Sequence, residues 1–246
     1  MNKYEKTYRN LARPENLLSY NVTVKETDLF IHTENDFKSV ARELILKYRS
    51  HIESYIQLHP EFETTLNPWS INGPAPEIIQ RMTQTCEKTN TGPMAAVAGA
   101  IAEMVGIGLL DYTKTVIVEN GGDIFIKSDQ PVTVGIYAGD SPVSMKIGLL
   151  INALDHSVAV CTSSGTIGHS LSLGKADAVC VVSDSCFLAD AAATAIGNMV
   201  QTNKDFEKAM AFGKNIENVT GIVLIQGENI AMFGEIELIH LKGKKC

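Results

Sequence analysis

The chain has 246 residues, 45% apolar and 20% charged, the balance of a water-soluble globular protein long enough to bury a sizeable core. A formal net charge of −7, with no cluster of Lys or Arg before the terminal LKGKK, argues against a nucleic-acid-binding surface. Five cysteines, at 86, 161, 180, 186 and 246, are odd in number and lack CxxC spacing, which argues against a disulfide framework or structural zinc and for a reducing, cytoplasmic setting.

The opening MNKYEKTYRN holds no apolar signal core. Residues 20–25 and 29–33 alternate apolar and polar side chains around Glu26, Thr27 and Asp28, which predicts a hairpin. Asn35 or Asp36 then caps an amphipathic helix over 37–58, with Phe37, Val40, Leu44, Tyr48, Ile52 and Ile56 near one face. Pro60 and the stretch 67–76 mark a loop, and a second helix follows over about 77–88. Residues 92–110 are almost entirely apolar, but Glu103 sits in their middle and they are short for a span that needs about 20 residues. A helix buried in a soluble core, not a membrane segment, is the expectation.

Strands are predicted at 115–119 and 124–127, flanking Asn120, Gly121, Gly122 and Asp123, and again at 132–137. Short apolar strands at 158–160 and 178–182 enclose a polar loop from Cys161 to His169. Ser183 or Asp184 caps a helix running to about Val200. A further helix over 205–214 and strands at 219–226, 230–233 and 236–241 close the chain. No repeat or low-complexity linker divides it. The expectation is one α+β domain over 1–246, with a mixed, mostly antiparallel sheet, packed helices, and residues 92–200 as one continuous unit.

Three constellations carry chemistry. The Asn120, Gly121, Gly122, Asp123 turn reads as a hairpin turn needing positive φ, or as a place where backbone approaches a ligand. The loop Thr162, Ser163, Ser164, Gly165, Thr166 up to His169 offers hydroxyls and N–H groups to a phosphate or carboxylate, without the spacing of a Walker loop. Cys161 at its mouth is either a thiol activated by those donors and His169, or a small buried core residue. Cys180 reads as core, and Cys86 and Cys186 stay open. In the third constellation, Asp190, Thr194 and Asn198 fall at i, i+4 and i+8, and Asp190 is the only charged side chain between Phe187 and Gln201. That polar stripe is expected to point at a loop of the site, and its oxygens suit a hard cation such as Mg²⁺.

Taken in order, VIVENGGDI, AVCTSSG followed by His169, and LADAAATAIG resemble the ApbE-like superfamily, whose familiar members are Mg²⁺-dependent FAD:protein FMN transferases. The resemblance implies an ApbE-like domain, metal ligation by Asp190 and Thr194, and FAD or another nucleotide beside Gly121, Gly122 and Asp123. Two stretches depart from the transferases. GPMAAVAGA has no lysine where they carry a GGIAKG-type start, and SLSLGKAD follows His169 where they carry an Asp-Pro-Arg-Thr-Gly-type motif. The full pattern looks like a divergent branch of archaea and anaerobic bacteria, associated with assimilation of sulfide into homocysteine.

Three functional expectations follow. The first is a sulfur-handling protein with Cys161 as persulfide carrier and His169 beside it, its thiol accessible and its pKa lowered. The second is a Mg²⁺-dependent flavin- or nucleotide-binding enzyme, and the third a non-catalytic scaffold. The expected partner is a small molecule or a sulfur-carrier protein, with no nucleic acid and no membrane; a homodimer is left open.

Overall fold

A computed structural model describes residues 17–165 and 172–241. Alternating burial along β1 (Leu18–Val24) and β2 (Thr27–Thr33) produces the predicted first hairpin, paired from Leu18 with Thr33 to Val24 with Thr27. α1 (Lys38–Leu58) follows, its first N–H accepted by Asp36 Oδ1 at 2.9 Å. Ala41, Ile45, Tyr48, Ile52 and Tyr55 are its buried residues, so the inward stripe centres on these and leaves Val40, Leu44 and Ile56 on its flank. The short α2 (Glu61–Thr64) and then α3 (Glu77–Thr89) come next, α3 ending on Asn90 in the left-handed region. The apolar stretch starts as a 3-10 turn, Pro93–Ala96, and continues as α4 (Val97–Leu109). α4 is packed inside the protein, as its composition requires. Among the described residues no single helix is long and apolar enough to cross a membrane.

The remaining strands are β3 (Val116–Asn120), β4 (Asp123–Lys127), β5 (Val132–Gly135), β6 (Ile147–Ile151), β7 (Val158–Ser163), β8 (Ala178–Ser183), β9 (Val219–Gln226), β10 (Asn229–Gly234) and β11 (Glu237–His240). Between them lie α5 (Cys186–Asn198) and α6 (Phe206–Lys214). An eight-stranded sheet runs β1-β2-β3-β4-β7-β8-β9-β10, and a three-stranded sheet runs β11-β6-β5. Every strand pairing among the described residues is antiparallel. The single α+β domain with mostly antiparallel sheet expected from the sequence is the fold observed.

Two cores flank the large sheet. Leu29, Ile31, Val116, Val118, Phe125, Val179, Val181, Ile222 and Leu224 face the helices; Ile117, Ile126, Val158, Val160, Cys180, Val223 and Ile225 face the small sheet. This is the period-2 alternation of strands buried on both sides. The strand at 147–151 escaped the sequence reading because IGLLI is a short apolar run with no alternation. It also explains why the last strand leaves the main sheet: Glu237, Leu238, Ile239 and His240 pair with Leu150, Leu149, Gly148 and Ile147.

Candidate functional site

The β3–β4 hairpin closes on the pair Asn120 and Asp123, with Gly121 at φ +70°. A side chain there would be strained, which is the local reason for glycine. Gly122 answers a different constraint. Its carbonyl accepts Thr162 N–H at 3.0 Å, and a Cβ on it would stand 2.7 Å from Thr162 O. The turn is thereby pressed against β7. Across β4 and β7, Asp123 lies opposite Cys161 in the ladder. On the helix side, Asn120 Nδ2 donates to Ala98 O at 3.0 Å, tying the turn to the first turn of α4.

α4 and α5 then cap each other. Gly99 N–H donates to Asp190 Oδ2 at 2.8 Å, so a carboxylate of α5 serves the N-terminus of α4. Glu103 Oε2 accepts Cys186 N–H at 2.6 Å and Ser185 Oγ–H at 2.9 Å, so a carboxylate of α4 serves the N-terminus of α5. Free N–H groups and the positive end of the helix dipole make both positions favourable for an anion. The helices can approach this closely because position 99 is glycine: a Cβ there would meet Cys186 O at 2.2 Å. Arg81 of α3 completes the knot. Its guanidinium pairs with Glu103 and lies 4.1 Å from the Phe187 ring centroid. The expected cap of α5 by Ser183 or Asp184 is corrected accordingly. Ser183 Oγ is occupied with Ser185 N–H and Asn218 O, and the charge comes from a different helix. A lone carboxylate in an apolar helix and a lone arginine in the preceding one were the available signals for this pair.

In α5 the residues from Cys186 to Ala189 and every alanine are buried, while Asp190, Thr194 and Asn198 are half-buried. The stripe predicted from spacing is therefore the one open face of that helix. Asp190 reaches the start of α4, where Gly99 N–H meets its Oδ2, and the Asp123 charge acts on it electrostatically. Asn198 is spoken for: its Oδ1 accepts Leu173 N–H at 2.8 Å and anchors the chain returning to β8.

Burial pushes Asp123 up to about 7, with the Cys161 thiol acting in the opposite direction and the Glu119 charge adding to the rise. Burial also pushes Asp190 well above the usual carboxylate range. The Asp123 charge adds to that shift, and the N–H groups of Gly99 and Ala98 oppose it. Like charges in a low-dielectric setting disfavour ionisation of both members of such a pair.

Cys161 is the main correction. β7 does not stop at Val160 but runs through Ser163: β4 pairs with it as far as Cys161, opposite Asp123, and β8 holds it to the end, Cys161 with Val181, Thr162 with Cys180, Ser163 with Val179. Cys161 thus lies within the strand, fully buried, its thiol 3.6 Å from the Cys186 carbonyl. Burial pushes its pKa well above the ordinary thiol value, and neighbouring Cys186, Asp123 and Asp190 push the same way. The accessible, acidified thiol expected there is not what the strand presents. Cys86, pushed up to about 12, Cys180, pushed up to about 11, and Cys186 are buried for the same reason. Thr162 and Ser163 belong to the strand and are half-buried, as is Ser164, and Gly165 is exposed. Thr166 and His169 lie outside the described residues.

A family model described as AbpE bacteria matches residues 9–236. The chain belongs to this family. Curated AbpE relatives bear the name UPF0280 protein. That of Methanococcus vannielii is 40% identical over 236 residues, covering 93% of this chain and 95% of its own. That of Methanosarcina acetivorans is 42% identical over 201 residues, covering 81% and 79%. Among solved structures, the Vibrio cholerae flavin transferase ApbE superposes with a TM-score of 0.58 at 12% identity, over 90% of this chain and 97% of that one. The apo flavinyl transferase ApbE of Pseudomonas stutzeri gives 0.56 at 12%, over 90% and 94%. At such identities the likeness is one of fold, and the AbpE fold is that of the flavin transferases.

Proposed function

We propose that this chain is a divalent-cation-dependent, flavin- or nucleotide-binding member of the ApbE fold. The observation that carries the reading is the lone open face of α5, where Asp190 and Thr194 lie one turn apart and Asp190 reaches the start of α4, to which Asn120 ties the Asn120, Gly121, Gly122, Asp123 turn. The donor set fits Mg²⁺, which prefers oxygen ligands and keeps waters or phosphate oxygens in its shell. Asp190 would use the oxygen not engaged by Gly99, and Thr194 its hydroxyl one turn further along. When bound, Mg²⁺ supplies charge neutralisation and polarisation of phosphate oxygens.

The chain's own residues have simpler duties. Gly99 N–H holds Asp190 in one orientation, and Asn120 fixes the turn against α4, so a phosphate chain would meet a preset arrangement. Gly121, at φ +70°, gives the turn its shape. The fold neighbours are named flavin transferases, which supports a flavin nucleotide as the first ligand to try. The sulfur-carrier reading loses its chemical handle with the burial of Cys161, and assimilation of sulfide toward homocysteine rests on the resemblance alone.

The test is equilibrium binding of FAD, FMN and ATP to the full chain by dialysis and flavin absorbance, with Mg²⁺ or with EDTA. Binding that needs Mg²⁺ and is reduced at least tenfold in Asp190→Asn and Thr194→Val is the expected result. Retention of every ligand in EDTA, or no binding at millimolar concentration, would refute it.

A further inference from the structure

We propose that the chain forms a two-fold homodimer in which β10 pairs antiparallel with β10 of a second copy, joining two eight-stranded sheets edge to edge.

β10 ends the large sheet, and among the described residues no strand lies on its outer side. The turn of Gly227 and Glu228 closes on the pair Gln226 and Asn229, so Asn229, Ala231 and Phe233 exchange hydrogen bonds with β9. The N–H and C=O groups of Ile230 and Met232 therefore point out of the sheet. Their side chains lie beside those of Ile225 and Val223, which face the small sheet, yet they stay 39% and 44% exposed. Proteins ordinarily guard such an edge with a lysine, a proline or a bulge. β10 has none of these: its 6 residues, Asn229–Gly234, are uncharged and pair with β9 without a break. The opposite edge is guarded. β1 exposes Leu18 at its start, then Asn21 and Thr23, and is followed by Lys25.

The occupant is a second copy because the edge is complementary to itself. Antiparallel pairing about Ala231 sets Ile230 opposite Met232 of the second copy, and Met232 opposite its Ile230. Every outward N–H and C=O group of these residues then finds a partner, and the apolar side chains cover one another. Pairing about Met232 would instead need Gly234 O, which already accepts Ile236 N–H at 3.0 Å. About Ala231, Glu228 faces Gly234 of the second copy and Glu235 faces its Gly227, so no glutamate opposes another. The same register brings the Phe233 end of each strand to the Glu228 end of the other. Lys214 Nζ lies 5.1 Å from the Phe233 ring centroid, and among the described residues neither Lys214 nor Glu228 is in an ion pair. Each copy thus brings a lysine to the end where the other brings a glutamate.

Sedimentation velocity of the full chain over a micromolar concentration series should show a dimer. Ile230→Lys and Met232→Lys, both at exposed positions, should each raise the dimer dissociation constant at least about tenfold with unchanged far-UV circular dichroism, whereas Thr23→Lys on β1 should leave it unchanged. Ala231→Cys in a Cys246→Ser background reads the register. Position 231 would face its own copy in a non-hydrogen-bonded pair, within disulfide reach, so mild oxidation should yield a covalent dimer. A monomer throughout the series overturns the proposal, as does a dimer that survives both lysine variants or weakens equally in Thr23→Lys. Absence of the cross-link overturns it too, and decides the matter alone should both lysine variants fail to fold.

Discussion

Replacing Glu103 by alanine removes a carboxylate that joins three helices. In the native protein it accepts Cys186 N–H at 2.6 Å and Ser185 Oγ–H at 2.9 Å and pairs with Arg81, while itself only 4% exposed. Truncation leaves a guanidinium without its counter-charge and the first N–H of α5 without an acceptor. Breaking a buried pair from one side costs about 3–5 kcal/mol. The Arg81 side chain is 29% exposed and keeps some water, so about 3 kcal/mol is the fitting figure. For a domain of this size each kcal/mol lowers Tm by roughly 2–4 °C, giving a fall of about 6–12 °C. Glu103→Gln keeps an acceptor for Cys186 but loses the charge, and should cost about 1–2 kcal/mol. Urea unfolding followed by far-UV circular dichroism, with calorimetry for Tm, measures both. An alanine variant within about 0.5 kcal/mol of wild type would refute the reasoning.

Two further outcomes follow from the same interior. Cys86, Cys161, Cys180 and Cys186 should resist iodoacetamide in the native protein at pH 8 and react fully in urea, with the sites mapped by peptide mass; rapid native labelling of Cys161 would contradict its burial. With metal withheld, stability should decline as pH rises from about 4 to about 7. The native Asp123, at about 7, holds a proton that the unfolded chain, near 4, has released, so its contribution is complete at the acid end and lost through the native value. Asp123→Asn should flatten that part of the pH–stability curve, and an unchanged slope would count against the assignment.

The elements were legible where burial has a period. The first hairpin and α1 declare themselves by alternation or by a 3.6-residue stripe, because one face of each meets a core, and the inner strands, covered on both faces, by short apolar runs between turns. The open face of α5 was legible for the converse reason: three polar residues among alanines stand out at i, i+4 and i+8. Cys161 was misread because strand length depends on partners distant in sequence. Nothing within VAVCTSSG reveals that β4 pairs as far as Cys161 and that β8 holds the chain extended through Ser163. The Glu103–Arg81 knot was hidden similarly, since Glu103 lies 82 and 83 positions from the two residues it caps. The pairing of Asp123 with Asp190 likewise exists only once β4 and α5 are packed together.

The exchange of carboxylates between α4 and α5 bears on how relatives should be read. Asp190 would be retained by a descendant that had lost every ligand, because without it the start of α4 forfeits an acceptor for Gly99 N–H. Its presence in a sequence is therefore a record of helix packing before it is a record of chemistry. Thr194 carries no such obligation: among the described residues no hydrogen bond engages its hydroxyl, and alanine would fit the helix at least as well. In a set of relatives, the hydroxyl at this position is the more discriminating mark of a working site, and chains that keep the aspartate while exchanging the threonine are the ones to expect among its retired members.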